Sequence, residues 1–329
     1  MNERLLVVKL SSFGDLFHAL PAVHVLKTEY GATITWVTQP EYVDLVSYFT
    51  DVSRVIAFPR HRALSGLPCY VRAVRDTEYD LVVDLQGLLK SAVAARIARA
   101  PQRIGPSFHR EGSRLLYSSV AGRRNRARHA VEENLDTVRA LGLACPSPVF
   151  PVAFPVYPVA TPRPRIAIFP VSRWASKNWG AERYAEVARG LQKKAGATIF
   201  IMGSASDAQT CGWIEREAGS GVQNLCGRCN LVQTGGVLGE MDLVLSNDSG
   251  PIHMAAAIGT PVLALFGPTD PVRTGPYGPG HRVIRAEPQG EPCHRRLRRR
   301  DDDTCMRGIL PEAVLQGALE MLAVARTKK

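Results

Sequence analysis

The chain has 329 residues, 45% of them hydrophobic and 22% charged, and its 41 Lys and Arg against 30 Asp and Glu give a formal charge of +11. That length favours two domains of about 100 to 200 residues each, and the apolar fraction excludes disorder as the main state. No apolar run approaches the roughly 18 to 20 residues of a membrane-spanning helix, the N-terminus lacks a secretory cleavage pattern, and an odd, scattered set of 7 cysteines argues against a disulfide framework, so a soluble intracellular protein is expected.

Taken in chain order, short apolar runs alternate with helical patterns, the signature of βαβ units and a parallel sheet. Leu5 to Leu10 reads as a buried strand, Leu16 to Tyr30 as a helix, Thr33 to Thr38 as a second strand and Leu81 to Leu85 as a later one. From Arg96 to Arg128 the sequence holds nine arginines, no lysine and one acid, Glu111, so much of the net charge is concentrated there. The segment Phe154 to Arg165 carries four prolines and breaks the alternation. We place the boundary there: residues 1–154 as an N-terminal domain, 155–164 as a linker and 165–329 as a C-terminal domain. The pattern restarts with strands over Arg165 to Phe169, Thr198 to Met202, Leu243 to Ser246 and Pro261 to Phe266, and helices over Ala181 to Lys194 and Pro251 to Ile258. A second basic run, Arg295 to Arg300, is followed at once by three aspartates and largely compensates itself.

Three turns at strand ends carry candidate chemistry, because doubly wound sheets present ligands at the carboxyl ends of their strands. In Lys9-Leu10-Ser11-Ser12-Phe13-Gly14-Asp15, Asp15 either projects from that edge or caps the following helix. The loop from Phe169 to Trp179 offers the hydroxyl of Ser172 and the cations Arg173 and Lys177 to phosphate oxygens. The sharpest is Ser246 to Ala257, where a polar turn (Asp248, Ser249, Gly250) runs through Pro251 into a small-residue helix with His253 in its first turn, the pattern of an anion site. Cys226 and Cys229 have the spacing of half a zinc knuckle or a redox pair, with Cys293 and Cys305 as the other half, but the second spacing is wrong and ordinary thiols are expected. The arginine-rich stretch holds only Phe108 and Tyr117 as aromatics, and no helix-turn-helix or RNP-type signature appears, which argues against a nucleic-acid-binding module.

Together the Val7 to Ala22 opening, the Lys177 loop with Trp179, the Ser246 to Pro271 block and the tail around Cys293 and Cys305 resemble the family-9 glycosyltransferases, the heptosyltransferases of lipopolysaccharide core assembly. The resemblance implies an α/β chain of GT-B architecture, two Rossmann-like domains facing across a cleft, with the nucleotide sugar on the C-terminal domain. It implies inverting transfer of heptose from ADP-heptose to a lipid-anchored, acidic inner-core acceptor, with Asp15 as general base and Lys177 stabilising the leaving diphosphate. Ser172, Arg173, Asp207, Cys229, Asp248, Ser249, Gly250 and His253 then fall on the donor, and Ser12, Gly14, Arg60, Arg62 and Arg110 on the acceptor. It further implies no required cofactor, with a divalent metal at most stimulatory and no protein metal site, and a cytoplasmic monomer peripheral to an anionic inner-membrane face. Two departures stand out: Gly203-Ser204-Ala205-Ser206-Asp207 lacks the early acid of the ribose site, leaving Asp207 as the ribose contact, and Leu297 replaces an expected tail cysteine. The alternative is a GT-B transferase or epimerase using a different nucleotide sugar.

Overall fold

The computed structural model describes residues 3–59, 63–145, 147–286 and 304–327, and the chain divides into two compact units, Met1–Ala153 and Phe154–Lys329. Arg60, Arg62, Cys293, the Arg295 to Arg300 run and its aspartates lie outside the described residues, as does the side chain of Cys305. The Pro-rich segment read as a linker lies with the second unit.

The first unit runs β1 (Arg4–Val8), α1 (Phe13–Glu29), β2 (Thr33–Thr38), α2 (Val43–Val46), β3 (Val52–Ala57), α3 (Ala63–Arg75), β4 (Leu81–Asp84), α4 (Leu89–Ile97), β5 (Gln102–Gly105), β6 (Ser119–Val120) and α5 (Ala130–Arg139). Its six strands are all parallel, in the order β3-β2-β1-β4-β5-β6. The sequence sets this locally: β1 and β4 are near-continuous apolar runs buried on both faces, which is what a central parallel strand requires. One face packs against α3 and α4 through Leu6, Val8, Val37, Tyr70, Val74 and Val82. In the rest of the core, Phe17, Trp36 and Phe49 meet edge to face at centroid distances of 5.5 Å.

The second unit runs β7 (Arg165–Phe169), α6 (Ala181–Ala195), β8 (Thr198–Ile201), α7 (Ala208–Ala218), β9 (Val222–Asn224), α8 (Leu231–Gly239), β10 (Leu243–Asn247), α9 (Gly250–Ala257), β11 (Val262–Phe266), α10 (Pro271–Thr274), β12 (Arg282–Arg285), α11 (Thr304–Arg307) and α12 (Pro311–Thr327). Its sheet, also parallel, has the order β12-β11-β10-β7-β8-β9. Counted from each unit's own first strand the two sheets share one topology, with order reversing between β1 and β4 and again between β7 and β10. Those two reversals are the crevices where open α/β sheets bind ligands. Ile166, Ile168, Tyr184, Leu191, Ile199 and Val314 form the core beneath α6 and α12. Segment 154–157 packs on α8, where a Cβ at Gly235 would overlap the Phe154 ring and one at Gly236 the Pro155 carbonyl. No helix among the described residues is long and apolar enough to cross a membrane.

Candidate functional site

In the second unit the loops leaving β7 and β10, on either side of the reversal, converge. The Lys177 ammonium lies 2.6 Å from Asp248 Oδ2, and the Thr269 hydroxyl donates to the same oxygen at 2.6 Å. Asp248 is held in place from behind by its own N–H, which donates to Leu265 O at 3.0 Å. The β7 loop is anchored by Asn178, whose Oδ1 accepts from Ser172 N at 2.7 Å and Ser172 Oγ at 3.0 Å. Beneath them Asn247 bridges the crevice: its amide donates to Pro170 O at 2.8 Å and its carbonyl accepts from the buried Tyr184 hydroxyl at 2.8 Å. Trp179 does not face solvent; it packs edge to face on Tyr184 at 5.0 Å and donates to Ile309 O at 2.9 Å.

Ser249 is the N-cap of α9, its hydroxyl 3.0 Å from Ser246 Oγ, and Pro251 and a buried His253 stand in the helix's first turn. The result is a fixed cation, a carboxylate and the positive end of a helix dipole at one strand end, the chemistry that holds an anionic group beside hydroxyls. Arg173 is exposed on the same loop. Asp207, at the end of β8, accepts from Ser204 N at 2.8 Å and Ser204 Oγ at 2.6 Å.

The first unit repeats this device at the end of β1. Asp15 Oδ2 accepts from Ser12 N at 3.0 Å and Ser12 Oγ at 2.7 Å, so the carboxylate closes a cap on α1, while Oδ1 faces His18 Nδ1 at 3.6 Å. Asp15 remains 46% exposed. Desolvation pushes its carboxyl up, but the neighbouring His18 ring, the charge of Lys9 and the Ser12 N–H outweigh it and hold the group well below the usual carboxylate range. Gly14 is buried in the same turn.

Behind Asp15 lies a charged layer that sequence reading missed. Lys9, 4% exposed, donates to Leu85 O at 2.6 Å and lies over the Phe108 ring. Burial lowers its pKa, against the opposing pull of Asp15, Asp84 and Glu133. Asp84, fully buried, accepts from Gln86 N, Gly87 N and the Tyr117 hydroxyl at 2.7, 3.1 and 2.7 Å; burial pushes its carboxyl up against those bonds. Gln86 then accepts from Leu10 N and Ser11 N, both at 3.0 Å, tying the β4 loop to the Asp15 turn. Gly87 is needed here: φ is +70°, and a Cβ would stand 2.8 Å from Pro106.

The arginine-rich stretch is less available than its charge suggests. Arg103 donates to Ala95 O and Ala98 O, Arg124 pairs with the buried Glu133 at 3.2 Å, and Arg128 pairs with Glu132 at 3.2 Å and Asp136 at 2.8 Å. Arg96, Arg99, Arg110, Arg114, Arg123 and Arg126 are exposed. Cys211, Cys226 and Cys229 are free thiols; Cys226 Sγ donates to Ser204 O at 3.1 Å, and burial raises all three. Among the described residues no group of three or more His, Cys, Asp or Glu is placed to hold a metal.

The profile of glycosyltransferase family 9 (heptosyltransferase) matches residues 70–302. The lipopolysaccharide core heptosyltransferase OpsX of Haemophilus influenzae is 27% identical over 84% of this chain and 82% of its own length. Lipopolysaccharide heptosyltransferase 1 of Pseudomonas aeruginosa is 28% identical, over 84% and 81%. Among solved structures, the E. coli heptosyltransferase WaaC with ADP superposes with a TM-score of 0.81 at 25% identity, covering 97% of this chain and 99% of that one. The same enzyme solved with ADP-2-deoxy-2-fluoro heptose gives 0.78 at 25% identity, covering 96% and 99%.

Proposed function

The chain belongs to glycosyltransferase family 9 and is a glycosyltransferase of GT-B fold, and on that premise we propose that it transfers heptose from ADP-heptose to a hydroxyl of a lipopolysaccharide inner-core acceptor, with inversion at the anomeric carbon. The observation that carries this reading is the Lys177–Asp248 pair fixed beside the α9 N-terminus. An ammonium and a helix dipole suit the diphosphate, and their attraction strengthens as negative charge develops on it in the transition state. Asp248 is an acceptor-only carboxylate and repels phosphate, so its role is to take hydroxyls of the sugar. Lys177 then shifts from Asp248 towards the leaving diphosphate, with Ser172, Arg173, Ser249, Gly250 and His253 around it, and Asp207 and Cys229 towards the nucleoside.

On the first unit Asp15 is the base. Its Oδ2 is occupied by Ser12, so the proton of the attacking hydroxyl passes to Oδ1. A carboxyl held this low is a weak base, which suits a displacement in which the proton leaves late, after the oxocarbenium-like centre has made the acceptor oxygen acidic. Ser12, Gly14 and Arg110, with Arg60 and Arg62, orient the acceptor. The chain acts on a cytoplasmic membrane face as a peripheral monomer.

Calorimetric titration with ADP-heptose and with GDP- and UDP-sugars tests the donor assignment. ADP-heptose binding that falls at least tenfold in Lys177→Met is the expected result; equal or tighter binding of a GDP- or UDP-sugar overturns it.

A further inference from the structure

One face of the first unit exposes apolar side chains that the proposed chemistry does not use. Leu89 and Val93, one turn apart on α4, are 45% and 46% exposed, and Leu115, in the 3₁₀ turn Ser113–Leu116 that packs along α4, is 88% exposed. Single exposed leucines are ordinary. These three lie on two elements packed together, and the charged residues on those elements, Lys90, Arg96 and Arg114, are all basic. Lys90 stands next to Leu89, Arg96 continues the Leu89–Val93 stripe one turn on, Arg114 lies in the 3₁₀ turn and Arg110 three residues before it, all exposed. The only acid from Leu88 to Leu116 is Glu111, and its carboxylate is held by Leu89 N at 3.2 Å.

The placement bears on the reaction. Gln86, three residues before Leu89, is the group that ties the β4 loop to Leu10 and Ser11, so this patch sits at the same end of the sheet as Asp15. We propose that α4 and the Ser113–Leu116 turn dock the first unit on an anionic lipid bilayer, Leu115 and Val93 entering between head groups while Lys90, Arg96 and Arg114 meet their phosphates. Apolar side chains inside a ring of cations match a bilayer surface on both counts, burial of hydrocarbon and attraction to anionic heads. A second copy of the chain fits poorly, since a two-fold contact here would set the same cations against one another. The docking rests on the proposed transfer reaction only for why the acceptor end of the sheet should face a membrane.

Vesicle co-sedimentation without donor or acceptor tests it. The wild-type chain is expected to sediment with phosphatidylcholine vesicles containing phosphatidylglycerol, weakly with phosphatidylcholine alone, and less as salt rises. The pair Lys90→Gln/Arg96→Gln should bind anionic vesicles roughly thirtyfold more weakly. Val93→Ser/Leu115→Ser should lose binding to both vesicle types, whereas Val272→Ser, at an exposed apolar site on the second unit, should not change it. Wild-type binding retained in Val93→Ser/Leu115→Ser overturns the proposal, as does a dimer in the ultracentrifuge that this variant abolishes without any vesicle binding. Turnover on a delipidated acceptor is read in parallel: it should be unchanged in Val93→Ser/Leu115→Ser, so that docking and heptosyl transfer can fail independently.

Discussion

Replacing Lys177 by methionine separates binding from folding at the donor site. Asp248 is 6% exposed and Lys177 20%, so the carboxylate depends on its protein partners more than the ammonium does. Methionine removes one of the two donors to Oδ2 and leaves Thr269 alone with a charge that water barely reaches. Stranding one partner of a largely buried pair costs about 3 kcal/mol, most of it unrecovered desolvation. In a unit of this size that lowers the melting temperature by roughly 6 to 12 °C. Asp248→Asn in the same chain removes the stranded charge while its amide oxygen still accepts from Thr269, so the double variant should recover most of the loss. The assay is thermal unfolding of wild type, both single variants and the double variant, alongside ADP titration. Stability returns in the double variant but ADP affinity does not. A melting temperature unmoved by Lys177→Met, or no recovery on adding Asp248→Asn, refutes the burial argument.

Asp15→Asn should reduce turnover at least about a hundredfold while leaving ADP-heptose affinity within a factor of two or so, measured by steady-state kinetics and titration. Because the Asp15 carboxyl lies below its unfolded value of 3.8, its ionised form adds stability that is fully present well above that pH and is lost as pH falls through the folded value. The unfolding free energies of wild type and Asp15→Asn should therefore differ by a constant from about pH 5 to 8 and converge below about pH 4, and no acid limb of the rate profile in that range should belong to Asp15. Arg124→Gln removes a partner of the buried Glu133 and should cost about 1 to 3 kcal/mol in urea unfolding, against less than about 0.5 for exposed Arg96→Gln. Gly236→Ala forces a Cβ against the Pro155 carbonyl and should destabilise the second unit by about 1 to 3 kcal/mol, seen in the same measurement.

Much of the frame is legible in the sequence because central parallel strands are continuous apolar runs. Thr33–Thr38 and Arg165–Phe169 emerge with their bounds, and β1, β4, β8, β10 and β11 within two residues. Strands β9 and β12 are not legible: they lie at the sheet edges, carry partly exposed polar or charged residues, and so lack either periodicity. Helix α1 begins at Phe13, ahead of Leu16, because Ser12 caps it and Asp15 closes the cap. At the sites, turn residues stand out because turns have local rules, and Asp15, Lys177 and Asp248 come from there. Asn178, Tyr184, Gln86 and Asp84 do not, since each acts through a contact set by tertiary packing. The arginine stretch shows the same limit. A count ending at Arg128 stops just short of Glu132, Glu133 and Asp136, the acids of α5 that neutralise part of it.

The central claim is most directly tested by incubating the purified chain with ADP-heptose and a series of truncated inner-core acceptors and weighing the products. The account predicts an acceptor heavier by one heptosyl residue, formed by wild type and absent with Asp15→Asn. No heptosyl product with any acceptor, or an equal yield from Asp15→Asn, contradicts it.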